Sequence, residues 1–470
     1  MTTEDAADCL ARGREAQMAW ARLSVAQRAR ALRPLRYAIA QRMDELIEVI
    51  SGEMGKPPMD ALSGDLLVTL EQLRFYERHA AHLLRPRRIG KPWPLYMGTS
   101  FVEFSEPHGV VLICAPWNYP LQLSVVPMAT ALFAGNAVLL KCSERTPRTA
   151  RLIEELCAAA NLPRNLVQVS WEGPEEAAAL LEARPDLVFF TGSSRNGRTL
   201  ATKAASLMIP SVLELGGKDP ALVFDSCDLP RTVNGLVYGS FSNAGQVCVG
   251  TKRIYVQQPI YEDFLRSFLE RVGQLRVGTA IESDLGSVRF DAVRQQLREQ
   301  VDDAVARGAV LHTLQSQTDQ TTPAVLTNVP LDASLLCDES FGPVVCIAPF
   351  AAEAHAIAMA NKSEFALSAS VWTGDKRQAE RVTAQLQCGS CVVNDVVRSV
   401  GNPQAAFGGN KSSGHGRYHG AEGLRAFSRV KSVMTARLRL SKEIHWFPSQ
   451  AHTFALVRRL LQLRHRGNLG

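Results

Sequence analysis

Apolar positions change their spacing twice along this chain. Between residues 4 and 83 they recur at helical intervals, first as Leu23, Ala26, Ala29, Leu32 and Leu35, then as Met43, Leu46, Ile47 and Ile50. That period predicts helices with one buried face. Gly55-Lys56-Pro57-Pro58 interrupts the pattern, and a further helix is predicted from about Asp60 to His82. From 84 to 105 the helical period is lost. Pro86, Pro92 and Pro94 exclude a helix, and the alternation from Ser100 to Phe104 predicts a strand. This segment is either a connector or a ribbon projecting from the body.

From Gly109 short apolar runs alternate with helical ones. Strands are predicted over 109–114, 137–140, 166–169, 187–190 and 209–213, with helices between them. Such alternation implies α/β architecture with a doubly wound, Rossmann-like parallel sheet. Ligands of these sheets sit outside the carboxyl ends of the strands. A second alternating region follows, with strands over 220–224, 253–256, 344–347, 370–372 and 392–394 and helices over 229–241, 261–274 and 290–307. It predicts a second α/β domain.

At 470 residues the chain can bury two or three cores. Its net charge of +6 is uneven: the segment from Arg429 onward carries +8, and the rest is near neutral at −2. A near-neutral body argues against nucleic-acid binding, which needs a basic face within the folded domain. Residues 1–11 carry Glu4, Asp5 and Asp8 and no apolar core, so no secretory signal is expected there. No apolar run reaches the roughly 18 residues of a membrane span. Ten cysteines lack regular spacing, which suits free thiols in a reducing cytoplasm. Cys388 and Cys391 form a Cys-x-x-Cys in a turn entering a strand, but no second pair completes a four-thiolate metal site. No metal is expected.

Candidate chemistry concentrates between Glu214 and Cys248. The stretch opens with Glu214-Leu215-Gly216-Gly217-Lys218 and closes with Gly245-Gln246-Val247-Cys248. A thiol can attack a carbonyl, and a carboxylate can activate water. Taken alone, Cys248 fits a buried apolar residue better than a nucleophile, and Glu214 equally fits a strand-end carboxylate paired to a cation. The loop Gly192-Ser193-Ser194-Arg195-Asn196-Gly197-Arg198-Thr199 nearly matches a nucleotide phosphate loop, but Arg198 stands where that motif needs lysine. A helix N-terminus after such a turn can bind other phosphates, a dinucleotide pyrophosphate included.

Seven motifs in order then resemble the aldehyde dehydrogenase superfamily along nearly the whole chain. They are Pro116-Trp117-Asn118-Tyr119-Pro120, Lys141-x-Ser143-Glu144, Phe190-Thr191-Gly192-Ser193, Glu214 to Lys218, Gly245 to Cys248, Glu339-Ser340-Phe341-Gly342-Pro343, and Phe407-Gly408-Gly409. The C-terminal features, with Gly416 to Gly420 and a trailing extension, look most like the class 3 branch. The resemblance implies an NAD(P)-binding domain over 1–83 and 106–213 and a catalytic domain over 214–404. It also implies a small β bridging or oligomerisation segment over 84–105 and 405–440, a basic extension over 441–470, and a homodimer.

The implied reaction is oxidation of an apolar aliphatic or aromatic aldehyde to the carboxylic acid, through a thiohemiacetal and a thioester on Cys248. Asn118 would stabilise the oxyanion, and Glu214 would activate water. Lys141 and Glu144 would hold the adenine ribose, with Gly192, Ser193 and Gly197 by the pyrophosphate. Glu339 would orient the nicotinamide ribose, Phe341 would pack beside the nicotinamide, and Trp117 and Leu215 complete the cofactor-binding set. The Glu144 carboxylate favours NAD, although class 3 relatives that keep it can also accept NADP. Cys142 stands where relatives carry proline, which predicts a looser loop. The alternatives are a coenzyme A-acylating relative, or a structural or binding member of the family without catalysis.

The extension carries Phe454, Leu456, Val457, Leu460, Leu461 and Leu463 among Arg458, Arg459 and Arg466, with Arg464 intruding on the apolar side. This predicts an amphipathic helix. It fits an anionic membrane surface, or packing on a partner subunit or over the active-site mouth. The weak membrane binding of a single amphipathic stretch favours packing.

Overall fold

The N-terminal pattern folds as the helices Thr3–Ala21, Val25–Gln41 and Met43–Met54 in a computed structural model that describes residues 2–90, 96, 98–313, 322–438, 441–443 and 446–466. Thr2 and Ser24 start the first two helices with reciprocal capping boxes to Asp5 and Gln27. The helix expected from Asp60 is not uniform. Ala61–Leu67 winds as a π-helical segment before Val68–Leu83 continues as α-helix. Pattern cannot show this, because the apolar spacing barely changes. π turns are rare and concentrate at functional sites. This one buries Asp65 and brings Gly64 so close to the Tyr119 ring that a Cβ there would overlap it.

The first sheet runs in the order Gly414–His415, Ser211–Glu214, Leu187–Thr191, Val110–Cys114, Ala137–Lys141, Val167–Ser170. Its last five strands are parallel; Gly414–His415 joins antiparallel, with Gly414 opposite Glu214. Val110–Cys114 and Ala137–Lys141 are buried at every position, as a sheet covered on both faces requires. Strand order reverses between Leu187–Thr191 and Val110–Cys114, which opens a crevice at their carboxyl ends. Thr146 does not cap the helix Pro147–Ala159 with its side chain. Glu53 takes that role from the helix Met43–Met54, accepting from Arg148 N, Thr149 N and Thr149 Oγ1 at 2.7, 3.0 and 2.6 Å.

The second sheet runs Val310–Thr313, Ala324–Thr327, Val344–Phe350, Thr251–Gln257, Asp219–Val223, Ser368–Trp372, Ser390–Val393. It is parallel except for Val310–Thr313. Its first two strands, four residues each, escape the sequence pattern. Contacts group residues 1–85 and 105–429 into one body, and 86–104 and 430–470 into a small second unit. The segment left open as connector or ribbon is a ribbon: Arg87–Ile89, Thr99–Pro107 and Ser428–Ala436 form a three-stranded sheet. Pro92 and Pro94 lie outside the described residues. The extension forms the helix Ala451–Arg464, none of whose residues is buried. Among the described residues no helix is long and apolar enough to cross a membrane.

One ion pair fixes the loop after Val110–Cys114. Lys56 and Asp65 are both buried, with Lys56 Nζ 3.0 Å from Asp65 Oδ2. Lys56 also donates to the Asn118 carbonyl at 2.8 Å and lies 4.3 Å from the centre of the Tyr119 ring. Asp65 Oδ1 accepts from the backbone of Leu121 and Gln122 at 3.1 and 3.3 Å. The pair therefore ties the π segment to the 118–122 loop. Lys56→Met is expected to cost about 3–5 kcal/mol in equilibrium denaturation, because it strands the Asp65 charge. The double variant Lys56→Met/Asp65→Leu should recover much of that loss. Equal stability of Lys56→Met and the parent would show that the pair is not needed.

Candidate active site

Three consecutive residues with positive φ lead into the candidate nucleophile. Asn243, Ala244 and Gly245 have φ of 50, 53 and 69°. For Asn243 and Ala244 such backbone costs of order 1–3 kcal/mol each and persists only when its surroundings enforce it. Asn243 N donates to Asp60 Oδ2 at 3.1 Å. Its side-chain amide donates to the Asn118 and Gln246 carbonyls at 3.2 and 3.3 Å, and Gln246 Nε2 returns a bond to the Asn243 carbonyl at 3.0 Å. Lys252 Nζ donates to the Gly245 and Gly342 carbonyls at 3.0 and 2.7 Å. Gly245 packs on the Gly342 carbonyl so closely that a Cβ would overlap it. The turn is thus clamped from Asp60, just before the π segment, from the 118 loop and from the 342 loop.

Cys248, half-buried, follows this turn. A Cβ at Gly217 would overlap the Cys248 carbonyl, and one at Gly216 would overlap the Glu339 carboxylate. Gly217 N donates to Glu339 Oε1 at 3.3 Å. The Gly216-Gly217 pair is therefore sandwiched between candidate nucleophile and candidate ribose ligand. Asn118 is buried, and its Nδ2 donates to the Gln246 carbonyl at 3.0 Å. That bond uses one of two N–H groups and aims the amide; the second N–H can serve a substrate oxygen.

Glu214 ends the strand Ser211–Glu214 and is buried. Neither of its carboxylate oxygens has a hydrogen-bond partner among the described residues. Burial pushes its pKa well above the usual carboxylate range, against the pull of Arg417. Gly408 leaves room for it: a Cβ there would lie 2.8 Å from Glu214 Oε1. Burial likewise raises Asp219, which accepts from Ser368 N at 3.1 Å, and lifts Glu339 to about 7. The Cys248 thiol is raised by burial, then by the carboxylates of Asp219, Glu214 and Glu339. Glu214 and Cys248 thus lie within electrostatic reach of each other in a dehydrated site.

The cationic side chains close by are held by backbone or neutral partners. Lys218, lowered by burial to about 8, donates to Ser340 Oγ at 2.7 Å, and Ser340 Oγ donates to Gln300 at 2.6 Å. Lys252 is lowered by burial to about 7. Arg417 donates to the Gly409 and Gly416 carbonyls and to Asn410 Oδ1.

The crevice of the first sheet collects the candidate cofactor ligands. Lys141 Nζ pairs with the exposed Glu144 carboxylate at 2.9 Å, at the carboxyl end of Ala137–Lys141. Cys142 does not loosen this loop. Its N–H donates to the Ser170 carbonyl at 2.8 Å, and its buried thiol lies 3.7 Å from Ser124 Oγ. Ser193 caps the helix Ser194–Ser206, and Gly192 N donates to the Glu214 carbonyl at 3.0 Å. Gly197 packs on Leu215 with no space for a Cβ. Trp117 meets Phe341 edge-on at 5.5 Å and Phe290 at 4.7 Å. A carboxylate for ribose hydroxyls, a capped helix N-terminus for phosphates and an aromatic wall fit a dinucleotide. Among the described residues no group of three or more His, Cys, Asp or Glu could hold a metal ion.

Lys56, Asp65, Asn243, Lys252 and Asp219 were not singled out from sequence as site-shaping residues. Lys56 lies in the Gly-Lys-Pro-Pro run, read there only as a helix break. The strained turn left a faint signal, an Asn-Ala-Gly run before the cysteine motif.

Residues 1–433 match the profile of the aldehyde dehydrogenase family. A 4,4'-diapolycopene aldehyde oxidase of a Methylomonas species is 41% identical over 444 residues, 94% of this chain and 84% of the relative. A Mycolicibacterium smegmatis protein assigned the name succinate-semialdehyde dehydrogenase (NADP+) is 36% identical over 446 residues, 93% of this chain and 86% of that protein. Among solved structures, an NAD-dependent aldehyde dehydrogenase of Sinorhizobium meliloti superposes with a TM-score of 0.89 at 30% identity, covering 95% of this chain and 89% of its own. A Mycobacterium tuberculosis aldehyde dehydrogenase complexed with NAD+ gives 0.88 at 28%, with 94% and 92% covered. The chain belongs to the aldehyde dehydrogenase family and is an NAD(P)-dependent, aldehyde-oxidising enzyme.

Proposed function

We propose that the substrate is an apolar aldehyde, aliphatic, aromatic or polyene, and that Cys248, Glu214 and Asn118 convert it to the carboxylic acid. The observation that carries this reading is the buried Glu214 carboxylate, without a hydrogen-bond partner among the described residues, within electrostatic reach of Cys248. Cys248 adds to the carbonyl carbon and makes it tetrahedral, the state from which hydride can depart. The free N–H of Asn118 and the Cys248 backbone N–H receive the oxyanion; one such donor is worth about 2.7–4 kcal/mol of barrier. NAD(P)+, when bound, supplies the hydride acceptor. Lys141 and Glu144 would hold its adenine ribose, and Gly192, Ser193 and Gly197 would lie by the pyrophosphate. Glu339 would orient the nicotinamide ribose and Phe341 would pack beside the nicotinamide, with Trp117 and Leu215 completing the cofactor-binding set. Glu144 favours NAD by repelling a 2'-phosphate, while the relative named for NADP+ keeps NADP in play. Glu214 then takes a proton from water for attack on the Cys248 thioester. The relative named for a diapolycopene aldehyde supports a long apolar substrate.

Cys248→Ala is expected to abolish NAD(P)H formation from every member of a panel of aliphatic, aromatic and polyene aldehydes. Unchanged turnover would overturn the mechanism. Glu214→Gln should still give a burst of NAD(P)H, followed by hydrolysis slowed by about 10²–10⁴-fold. Acceleration by free coenzyme A with release of acyl-CoA would favour the acylating alternative.

A pH profile follows from the burial of Glu214. A general base must be ionised, and its proton is held more tightly than in an ordinary carboxyl group. Acyl-enzyme hydrolysis, followed by rapid quench, should therefore rise with pH beyond the ordinary carboxylate range. In Glu214→Gln that rise should disappear. The same rise in Glu214→Gln would assign the base to another group.

The extension supports a second element of function. The helix Ala451–Arg464 exposes Phe454, Leu456, Leu460, Leu461 and Leu463 beside Arg458 and Arg459. Such exposure in a single chain fits packing on a partner subunit, and equally peripheral contact with an anionic membrane by a cytoplasmic enzyme whose substrate is lipophilic. The class 3 resemblance supports a homodimer, with the extension packing on a partner as the competing role. Full-length protein should co-sediment with phosphatidylserine-containing vesicles, and protein truncated before Ala451 should not. Equal soluble fractions would remove the membrane role.

A further inference from the structure

We propose that Cys388 and Cys391 form a reversible dithiol–disulfide couple that controls the space available to Glu214. The two cysteines flank Gly389-Ser390 at the entry to the edge strand Ser390–Val393, and both pack, half-buried, on the cluster of Leu222, Phe224, Tyr255 and Phe350. The two thiols lie on one short turn against one apolar cluster. A thiol–thiol hydrogen bond pushes Cys388 up and Cys391 down. The pair therefore has an attacking thiol and a resolving thiol.

The turn between them abuts the catalytic wall. Gly389 meets the Gly408 carbonyl with no space for a Cβ, and its N–H donates to the Ala366 and Leu367 carbonyls. The Cys388 carbonyl accepts from Asn410 Nδ2 at 3.1 Å. On its other side Gly408 borders Glu214, where a Cβ would lie 2.8 Å from Oε1. Ser390 pairs with Ser368, whose N–H holds Asp219. A covalent link between Cys388 and Cys391 would act on Gly389, and through it on the Gly408 backbone that borders Glu214.

The oxidant class is a low-molecular-weight disulfide such as glutathione disulfide. The Cys391 thiolate attacks one of its sulfurs and expels one glutathione thiolate. The Cys388 thiolate then attacks the Cys391 sulfur of the mixed disulfide and expels the second. The protein gives up two electrons and two protons, and two glutathione thiols carry them away.

The test equilibrates the full-length enzyme in glutathione redox buffers, then combines alkylation and peptide mass mapping with rapid-quench kinetics. The expected result is a peptide spanning 388–391 that is two hydrogens lighter, with Cys248 still alkylated. The NAD(P)H burst should be retained, with hydrolysis slowed about tenfold or more and restored by dithiothreitol. Cys388→Ala should instead trap glutathione on Cys391, and Cys391→Ala should form neither product. The idea fails if Cys388 and Cys391 stay alkylatable under oxidising buffer. It fails equally if their disulfide forms and hydrolysis keeps its reduced rate.

Discussion

The constraint on which the site depends is the close packing at Gly216-Gly217, where main chain meets a carboxylate on one residue and a carbonyl on the next. The pair has the Glu339 carboxylate against one residue and the Cys248 carbonyl against the other, and a single Cβ at either position would force them apart. Three segments far apart in sequence are thereby held at one point: the exit of the first sheet, the strained turn before Cys248, and the 339–343 loop. Glycine is needed here for its missing side chain, since close packing admits no compensating void. Gly245 and Gly342 repeat the arrangement one layer further on, and Lys252 bonds to both of their carbonyls. The thiol is thus placed by main chain, which has fewer ways to relax than side chains.

That packing removes water, and dehydration sets the electrostatics. Burial raises the carboxylates of Glu214, Asp219 and Glu339 and lowers the ammonium groups of Lys218 and Lys252. The same cause acts on both signs because a low-dielectric interior opposes charge of either kind. The lysines turn toward Ser340 and toward carbonyls, so they rigidify loops without neutralising the acids directly. Lys56 and Asp65 solve the problem differently, as a buried pair in which Asp65 also accepts two backbone N–H bonds.

Sequence legibility followed the range of the interaction. The doubly wound sheet could be read because strand and helix periods are local, and the motif residues could be named because each motif is contiguous. The partners of those motifs could not. Lys56 reaches Asn118 across 62 positions, and Glu53 caps a helix 95 positions away. The π segment at Ala61–Leu67 leaves the apolar spacing nearly intact, so the period predicts an ordinary helix. Cys142 shows the converse: a departure from proline suggested a loose loop, but a backbone bond to Ser170 and burial of the thiol pin it. A residue's effect on loop freedom depends on the neighbours that receive it, which pattern does not contain.

The distribution of charge also bears on substrate class. Around Cys248 the groups that raise the thiol are carboxylates, and the nearby cations Lys218, Lys252 and Arg417 bond to a hydroxyl, to carbonyls and to an amide oxygen. An aldehyde bearing its own carboxylate would need a cation aimed at the substrate, because an uncompensated anion in a dehydrated site is costly. Phe290 packs edge to face on Trp117 and carries the Arg145 guanidinium on its ring, so this cation is engaged with aromatic faces. An uncharged aldehyde fits the carboxylate-lined surroundings of the thiol.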